Sequence, residues 1–263
     1  MRCTGGCKVS EIDRASSTIT TVRAVDRALD ILLCFSKSVG ELSLSDISKE
    51  VHLHKSTVHR LLSSLQSKGF VRKNAQTDKY VLGWSVLELL SNVNQSGDLS
   101  TLALPEMTRL RDLSGETVSL YIRRQTERMR IQAIESTEPI RNVVTIGRTY
   151  PLFIGASGKV LLAFSDPSLV NTVLHKEDIP SDFNHEEFSA QLDKIRSDGY
   201  AISIQERDKG AAAIAAPIFG HNRECVAALS ISGPVSRFTI DKMSEYVETL
   251  LSSAAWITKL LSR

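Results

Sequence analysis

Residues 43–67 read SLSDISKEVHLHKSTVHRLLSSLQS, and they decide the fold of the N-terminal part of the chain. A short helix is predicted after Ser43, because this serine can cap it and Asp46 stands where the acid of a capping box belongs. The chain then turns through residues 52–54. A second helix is predicted from apolar residues that recur at helical spacing, namely Val58, Leu61, Leu62 and Leu65.

The side of the second helix that lies opposite this apolar stripe is polar. It carries Ser56, Arg60 and Ser63, flanked by Thr57 and His59. Two short helices, a tight turn and a hydrogen-bonding outer face are typical of a helix-turn-helix, whose second helix enters the DNA major groove. An ordinary pair of surface helices has a similar pattern, so the next residues decide between the two interpretations.

A basic hairpin follows the second helix. Gly69 is a helix stop signal, and short strands are predicted at 70–73 and 79–82 with a polar turn between them. The hairpin carries Arg72, Lys73 and Lys79, which are placed to reach backbone phosphates. A helix-turn-helix followed by a basic hairpin is far more specific than either alone, and it predicts a winged-helix DNA-binding domain.

A further helix is predicted before this motif, at about residues 22–35. It has an apolar stripe and supplies the scaffold on which the two later helices pack; the stripe consists of Val25, Ala28, Leu29, Leu32 and Leu33. Arg23 and Arg27 lie one turn apart near its start. They contact phosphates or are solvated surface charges, and both interpretations stay open here.

Charge is divided unevenly along the 263 residues, a length that allows one large domain or two small ones. The net charge is +2, but residues 1–79 hold 13 Lys and Arg against 8 Asp and Glu, whereas residues 80–263 hold 19 against 22. Positive charge therefore collects around the helix-turn-helix, where a polyphosphate partner requires it.

Composition favours a cytoplasmic protein that does not enter a membrane. No apolar run approaches the ~20 residues that cross a bilayer, and the N-terminus lacks the apolar core of a secretory signal. Four cysteines, at positions 3, 7, 34 and 225, do not form a disulfide framework pattern. Cys3 and Cys7 lack a second Cys/His pair nearby, so no metal and no cofactor is predicted.

The chain after the hairpin predicts a connection and then a second domain. A helix is expected at 85–93, and the polar residues 94–100 mark the domain junction. We expect a disordered tail at 1–21, a winged helix-turn-helix domain at 22–84, a linker helix at 85–99 and an effector-binding domain at 100–263.

Helices and strands are interspersed in this second domain. A helix is bracketed by Pro105 and Gly115, and others are predicted from about 158–164, around Phe188–Ile195, and over 240–261. Strands are predicted at 117–122, 129–134, 141–146, 200–204, 211–218 and 225–232. This order favours an α+β domain with a mostly antiparallel sheet.

Residues 155–159, GASGK, are the motif that most invites a chemical interpretation. A phosphate-binding P-loop needs a glycine where Phe153 stands and a Ser or Thr where Val160 stands, so nucleotide hydrolysis is rejected. A small-residue turn that opens a helix remains, and its free N–H groups favour an anion such as a carboxylate. A glycine-rich helix entry without a ligand is the alternative.

Other polar residues of the second domain give little sign of catalysis. Ser230 and Ser232 point to one face of a strand, where they bind a carboxylate or face solvent. Cys225 begins an apolar strand and fits a small hydrophobic residue better than a nucleophile. The histidines lack metal-ligand spacing, and a catalytic Ser-His-Asp arrangement is recognised by geometry and not by sequence. No enzyme is therefore predicted.

The sequence resembles the IclR family of bacterial transcription regulators. Six stretches carry the resemblance in the family's order from about residue 22 to the C-terminus: RAVDRALDIL, LSLSDISKEVHLHKSTVHRLLSSLQSKGFV, KYVLG, GETVSLYIR, IGRTYPLFIGASGKVLLAF and AAPIFGHNRECVAALSISGPVSRF. The resemblance implies an N-terminal winged helix-turn-helix, a linker helix and a GAF-like α/β effector-binding domain. It also implies a repressor or activator that binds palindromic operators as a homodimer or a pair of dimers (a homotetramer), controlled by a small carboxylic acid or aromatic catabolite.

The resemblance and the residue pattern together give two sets of candidate site residues. The expected DNA contacts are Arg23, Ser45, Lys55, Ser56, Thr57, His59, Arg60, Arg72, Lys73 and Lys79. The ligand pocket implied by position contains Gly155, Ala156, Ser157, Ser203, Ala213, Ser230 and Ser232. Some family members have an acid at the position of Ser203 and a cysteine at that of Ala213, so the identity of the effector does not transfer.

Two other hypotheses are weaker. The first is an enzyme whose C-terminal domain is recruited to DNA by the winged helix, and it requires a nucleophile and base that the pattern does not offer. The second is an architectural DNA-binding protein without a ligand, which requires a C-terminal domain without a pocket.

Overall fold

The computed structural model describes residues 21–38, 40–93, 99–141, 145–175 and 179–262. The chain divides between Val86 and Leu87 into an N-terminal unit and a C-terminal unit, each compact by itself. Within the described residues, no helix is both long enough and apolar enough to span a bilayer. The expected tail at 1–21 lies outside the described residues except for Thr21.

The N-terminal unit is a winged helix-turn-helix, as predicted. Its elements are α1 (Arg23–Lys37), α2 (Leu44–Glu50), α3 (Lys55–Ser67), β1 (Val71–Lys73) and β2 (Tyr80–Leu82). The two strands pair antiparallel with Arg72 opposite Val81. Leu42 adds a bridge to Tyr80, with backbone hydrogen bonds of 3.0 and 2.8 Å. This bridge ties the wing to the loop before α2.

The core of this unit corrects the predicted role of the stripe on α1. The helix buries Ile31 and Phe35 against apolar residues of α2, α3 and the wing, and Leu32 of the predicted stripe packs against this core. Three other stripe residues, Val25, Leu29 and Leu33, are 53%, 52% and 45% exposed. The sequence contains two apolar sides on this helix, and helical periodicity alone does not tell which of them faces the core.

Helix α4 (Trp84–Val93) follows the wing and α5 (Leu99–Ser114) comes next, while residues 94–98 of the predicted junction lie outside the described residues. The prediction that a helix starts at Pro105 is wrong, because Pro105 lies inside α5. The proline removes one helical hydrogen bond. Burial of Ala103 before it and of Met107 after it favours a continuous helix.

A six-stranded antiparallel sheet forms the centre of the C-terminal unit, which confirms the predicted α+β class. The strand order is β5-β4-β3-β8-β7-β6. The strands are β3 (Thr117–Arg124), β4 (Glu127–Ile134), β5 (Thr149–Pro151), β6 (Ala201–Ile204), β7 (Ala211–Phe219) and β8 (Cys225–Pro234). The helices after α5 are α6 (Ala156–Ala163), α7 (Pro167–Leu174), α8 (His185–Asp198) and α9 (Ile240–Leu261).

Three predictions for this unit need correction. The strand expected at 141–146 is wrong for the described residues 141, 145 and 146, and the strand of this region is β5, which pairs with β4. Ile140 and Ile146 are exposed, so their apolar character does not mark a core strand. Helix α6 starts at Ala156 instead of residue 158. The prediction also missed α7, although Asp166 caps it and Pro167 opens it.

The sheet separates two apolar layers. One face packs on α5 and α9 around Met107, Leu229 and Leu250. The other face packs on α6, α7 and α8 around Val160, Leu192 and Ala215. The candidate ligand residues lie on this second side, where α6 starts over the sheet.

Candidate DNA-binding face and effector cavity

The turn of the helix-turn-helix is fixed by side-chain caps. Ser43 Oγ accepts a hydrogen bond from the Asp46 N–H at 3.2 Å, and the Asp46 carboxylate accepts from the Ser43 N–H at 3.2 Å, which completes the predicted capping box. His54 caps α3 through its Nδ1, which accepts from the Ser56 N–H at 3.4 Å. These caps satisfy helix-end donors and fix where α3 begins relative to α2.

The polar side of α3 is open to solvent. Lys55, Ser56, His59 and Arg60 are exposed, and Thr57 is half-buried beside the buried Val58. These five residues occupy the first two turns of α3. The arrangement brings hydrogen-bond donors and positive charge to one end of a rigid helix, which is the chemistry that reads base edges and phosphates.

The wing presents its basic residues on a small hairpin. Arg72, Lys73 and Lys79 are exposed. Lys73 pairs with Asp78 at 2.6 Å, and this hydrogen bond raises the pKa of Lys73. A DNA phosphate that binds Lys73 therefore competes with a carboxylate of the same wing.

Glu41 holds the wing turn, and the sequence did not reveal this residue. Its carboxylate accepts hydrogen bonds from Thr77 Oγ1 at 2.5 Å and from the side-chain amide of Asn74. These bonds, from Thr77 first and then Asn74, lower the pKa of Glu41. The wing is thus attached to the loop before α2 by both Glu41 and Leu42.

The remaining predicted DNA contacts lie apart from α3 and the wing in sequence. Arg23 is exposed at the first position of α1, and Ser45 is half-buried in the first turn of α2. A residue at the start of a helix can present its side chain to a phosphate, but Ser45 has less free surface than the exposed residues of α3.

In the C-terminal unit, all seven predicted ligand residues line one cavity of about 50 Å³. Gly155, Ala156 and Ser157 come from the entry of α6, and the other four come from the strands. The antiparallel register explains why these residues converge, because Ala213 stands opposite both Ser203 and Ser232, and β8 lies beside β7. Their small side chains leave the space unfilled.

Eight further residues line the cavity, and the sequence did not indicate them: Tyr121, Arg128, Arg130, Glu206, Arg207, Asp208, Ala211 and Ala212. Arg128 and Arg130 are two apart on β4 and therefore point to the same side of the sheet. This spacing is visible in the sequence, but it does not show which side of the strand lies beneath α6. The missed residues make the cavity strongly charged.

The entry of α6 was interpreted from the sequence as a free anion site, but a carboxylate of the chain already binds there. The N–H of Gly155 donates to the Glu206 carboxylate at 2.9 Å, and the same carboxylate pairs with Lys159 at 2.5 Å. Gly155 has a φ of 82°, which favours glycine. One N–H of this entry is therefore already bound by a carboxylate of the chain, and the same carboxylate neutralises the buried Lys159.

The serines of the cavity are arranged to accept hydrogen bonds. Ser230 Oγ donates to the Ile214 carbonyl at 2.9 Å, which leaves its lone pairs for a donor. Ser157 and Ser203 are buried as well, and Ser232 is half-buried. A ligand with an N–H or O–H group fits beside Ser230, and the hydroxyls of Ser157, Ser203 and Ser232 are able to donate as well as accept.

The Cys225 thiol and groups of His, Cys, Asp and Glu side chains are the features that could suggest catalysis or metal binding. Burial raises the pKa of the Cys225 thiol to about 12, which fits its interpretation as a small hydrophobic residue. Among the residues that the structure describes, no three His, Cys, Asp or Glu side chains are grouped to hold a metal ion. Cys3 and Cys7 lie outside the described residues.

Comparison with known proteins finds two family models that match separate parts of the chain. Residues 24–75 match the IclR helix-turn-helix domain, and residues 91–259 match the bacterial transcriptional regulator IclR C-terminal domain. HTH-type transcriptional regulator KdgR of Dickeya chrysanthemi is 32% identical over 96% of this chain and 83% of its own length.

Two further relatives agree. Transcriptional repressor IclR of Escherichia coli is 30% identical over 90% of this chain and 89% of its own length. The crystal structure of an IclR transcriptional regulator from Alicyclobacillus acidocaldarius superimposes with a TM-score of 0.83 at 26% identity, covering 93% of this chain and all of that one. This chain therefore belongs to the IclR family of transcriptional regulators, which pair a helix-turn-helix DNA-binding domain with an effector-binding C-terminal domain and are not enzymes.

Proposed function

We propose that this regulator binds double-stranded operator DNA through α3 and the wing, and that a small acid bound in the cavity beneath α6 controls this binding. The observation that carries the proposal is the convergence of helix-entry and strand residues on one charged cavity. Residues 22–84 form the DNA-binding domain in this proposal, 85–99 connect it, and 100–263 bind the effector. The cytoplasm, where such DNA lies, is its proposed location.

The proposed DNA contacts divide by role. Arg60 reads a base edge, because an arginine can bond bidentately to guanine, with Ser56, Thr57 and His59 beside it. The basic residues Arg23, Lys55, Arg72, Lys73 and Lys79 bind phosphates and supply salt-dependent attraction. Ser45 contributes a hydroxyl to a phosphate from α2. The exposure of the long basic side chains supports this division.

The proposed effector is a small acid, either an aliphatic carboxylate or an aromatic catabolite with a carboxylate. The cavity of about 50 Å³ limits its size, and the arginines in its wall supply the positive charge that an acid requires. Gly155, Ala156 and Ser157 contact the ligand from the helix side, and Ser203, Ala213, Ser230 and Ser232 contact it from the sheet.

We also propose that the protein acts as a homodimer or a dimer of dimers. Exposed apolar residues support self-association: Val25, Leu29 and Leu33 on α1, and Trp84, Leu87 and Leu90 on α4. A two-fold dimer places its α3 helices one DNA turn apart, ~34 Å, or a multiple of that distance, so we expect a palindromic operator.

The test of the DNA-binding part starts from duplexes that the full-length protein selects from a random-sequence pool. Arg60→Ala should weaken binding of a selected duplex by about 5- to 150-fold, because a bidentate base contact contributes ~1–3 kcal/mol. It should also relax discrimination against unselected duplexes. Fluorescence anisotropy at fixed salt measures both affinities.

Two matched variants serve as controls. Lys55→Ala should weaken binding of selected and unselected duplexes to the same extent. It should also reduce the magnitude of the slope of log K against log salt by about 1. Arg124→Ala, an exposed arginine of the C-terminal unit, should leave both affinities unchanged. An Arg60→Ala protein that binds and discriminates like the wild type would overturn the proposed reading helix.

A further inference from the structure

Two arginines are buried side by side in the wall of the cavity. Arg128 and Arg130 lie on β4 and are each 2% exposed. Arg130 Nε donates to the hydroxyl oxygen of Tyr121 at 3.0 Å, and its Nη2 donates to the same oxygen. Arg128 Nη1 donates to the carbonyls of Ile154, at 2.6 Å, and of Pro151. All of these acceptors are uncharged.

The two guanidinium groups keep unused donors. Within the described part of the chain, Arg128 Nε and Arg130 Nη1 are buried without a hydrogen-bond partner, and neither arginine has a carboxylate within 4.0 Å. A buried cation without a counter-charge is costly to a folded protein. Burial accordingly lowers the pKa of Arg128 to about 10, which leaves it charged near neutral pH.

Charges elsewhere at the cavity do not compensate these two. Glu206 is paired with Lys159, and Asp208 is paired with Arg207. The other lining residues are Tyr121, small residues and serines, none of which carries a negative charge at neutral pH. The described wall of the cavity is therefore left with two uncompensated positive charges, those of Arg128 and Arg130.

The surroundings of the two arginines add to the positive potential. A Cβ placed on Gly155 would lie 2.9 Å from Arg128 Nη2, so this guanidinium stands at the entry of α6, where the helix dipole is positive. The rings of Tyr121 and Tyr150 lie 5.0 to 5.7 Å from the two guanidinium carbons and offset part of the charge. The attraction of a guanidinium group to an aromatic ring is weaker than its attraction to a carboxylate. The two tyrosine rings therefore do not replace an anionic partner for the two arginines.

We propose that the effector is a small anion with two negative charges, either a dicarboxylate or a phosphate monoester, and that Arg128 and Arg130 bind these charges. This inference rests on the proposed function and narrows its ligand class from acids in general to dianions. The guanidinium groups of Arg128 and Arg130, which line the cavity, donate to the acidic oxygens. Ser203, Ser230 and Ser232 contact the remaining part of the molecule.

Thermal unfolding of the full-length protein tests the inference. The doubly charged probes are malonate, succinate and glycerol 3-phosphate, and the singly charged probes are acetate and butyrate, all at matched ionic strength. We expect at least one dianion to raise Tm by about 3 °C or more at ten times its Kd, because binding at that concentration stabilises the folded protein by a corresponding free energy. The monoanions should raise Tm by less than about 1 °C. The two arms of dianions distinguish carboxylate from phosphate ligands.

Arg130→Met is the variant that tests the role of the arginine pair, and Arg124→Met is its matched control. Arg124 is an exposed arginine near the end of the neighbouring strand β3 and does not line the cavity. We expect the dianion shift to vanish in Arg130→Met and to persist in Arg124→Met. Without any ligand, Arg130→Met should melt at the same temperature as the wild type or higher, because an uncompensated charge is removed.

Three results would overturn the inference. Equal Tm shifts with monoanions and dianions would show that the protein does not select ligands by their number of charges. A Tm shift with a dianion that survives in Arg130→Met would place the binding site elsewhere. A ligand-free Arg130→Met protein that melts well below the wild type, together with no dianion shift in the wild type, would make the arginine structural. A monocarboxylate that binds in the cavity would preserve the proposed function while the dianion class fails.

Discussion

Small side chains at a few positions decide whether the cavity exists. A Cβ placed on Gly158 would lie 2.5 Å from the Leu152 carbonyl and still nearer to the Arg128 guanidinium, so this position admits only glycine. Gly158 thus lets α6 approach Leu152 and Arg128 closely, whereas Ala156 and Ala213 line the cavity and leave space above the sheet. The cavity is therefore built by residues that lack volume, while Arg128 and Arg130 give it charge.

The Cys225 thiol provides a residue-scale prediction. Since burial raises its pKa to about 12, only about one thiol in 10⁴ is ionised at pH 8, and the thiolate is the reactive form. We expect iodoacetamide to alkylate Cys225 in the native protein at least about 100-fold more slowly than in guanidinium chloride. Mass spectrometry of the Cys225 peptide over time measures both rates, and equal rates would contradict the assigned burial.

The small residues that line the cavity could be named from the sequence, whereas its charged residues could not. The resemblance to the IclR family implied the full set of seven ligand residues, all of which line the cavity, whereas spacing alone pointed only to the entry of α6 and to Ser230 and Ser232. The arginines were missed for a physical reason. Alternation along β4 places Arg128 and Arg130 on one side, but only the position of α6 over the sheet shows that this side is the buried one.

At the scale of elements, ion pairs tie the ends of strands to neighbouring loops. Glu116, at the start of β3, is buried and accepts hydrogen bonds from Arg237 Nε at 2.5 Å and from its Nη2 at 2.9 Å. Arg237 lies in the connection from β8 to α9 and is 37% exposed. The pair joins the beginning of one central strand to the end of its neighbour.

Arg237→Ala should destabilise the C-terminal unit, because it leaves the Glu116 carboxylate buried and unpaired. Since Arg237 is partly exposed, we expect a loss near the lower end of the range for broken buried pairs, about 3 kcal/mol in the free energy of unfolding. Urea denaturation followed by circular dichroism measures it. Lys242→Ala, which breaks an exposed pair with Glu245, should change the free energy of unfolding far less, because solvent screens that pair, and similar losses for the two variants would contradict the assigned role of Arg237.

Predictions of elements succeeded where a local signal and burial agree. The Ser43 capping box and the hairpin after Gly69 specify their structure within a few residues. The helix over Pro105 and the strand β5 depend on distant contacts, namely burial of Ala103 and pairing with β4. The apolar stripe on α1 showed the same limit, because Val25, Leu29 and Leu33 have the right spacing but lie on the exposed side.

At the scale of the whole molecule, the DNA-binding domain and the effector-binding domain are separate parts of the chain. The basic exposed face belongs to the N-terminal unit, and the charged cavity belongs to the C-terminal unit. Charge along the sequence already indicated this separation. Allosteric control further requires that the ligand bind the DNA-competent and DNA-incompetent states with different affinity.

The most direct test of this claim is the Kd for a selected duplex, measured at fixed salt with and without a small acid that raises Tm. We expect the acid to change the Kd of the wild type by about 5- to 150-fold, which corresponds to the typical range of coupling free energies. Ala213→Leu, which fills the cavity, should bind the duplex but lose the response. A wild-type Kd that stays the same while the acid saturates the cavity would contradict the account.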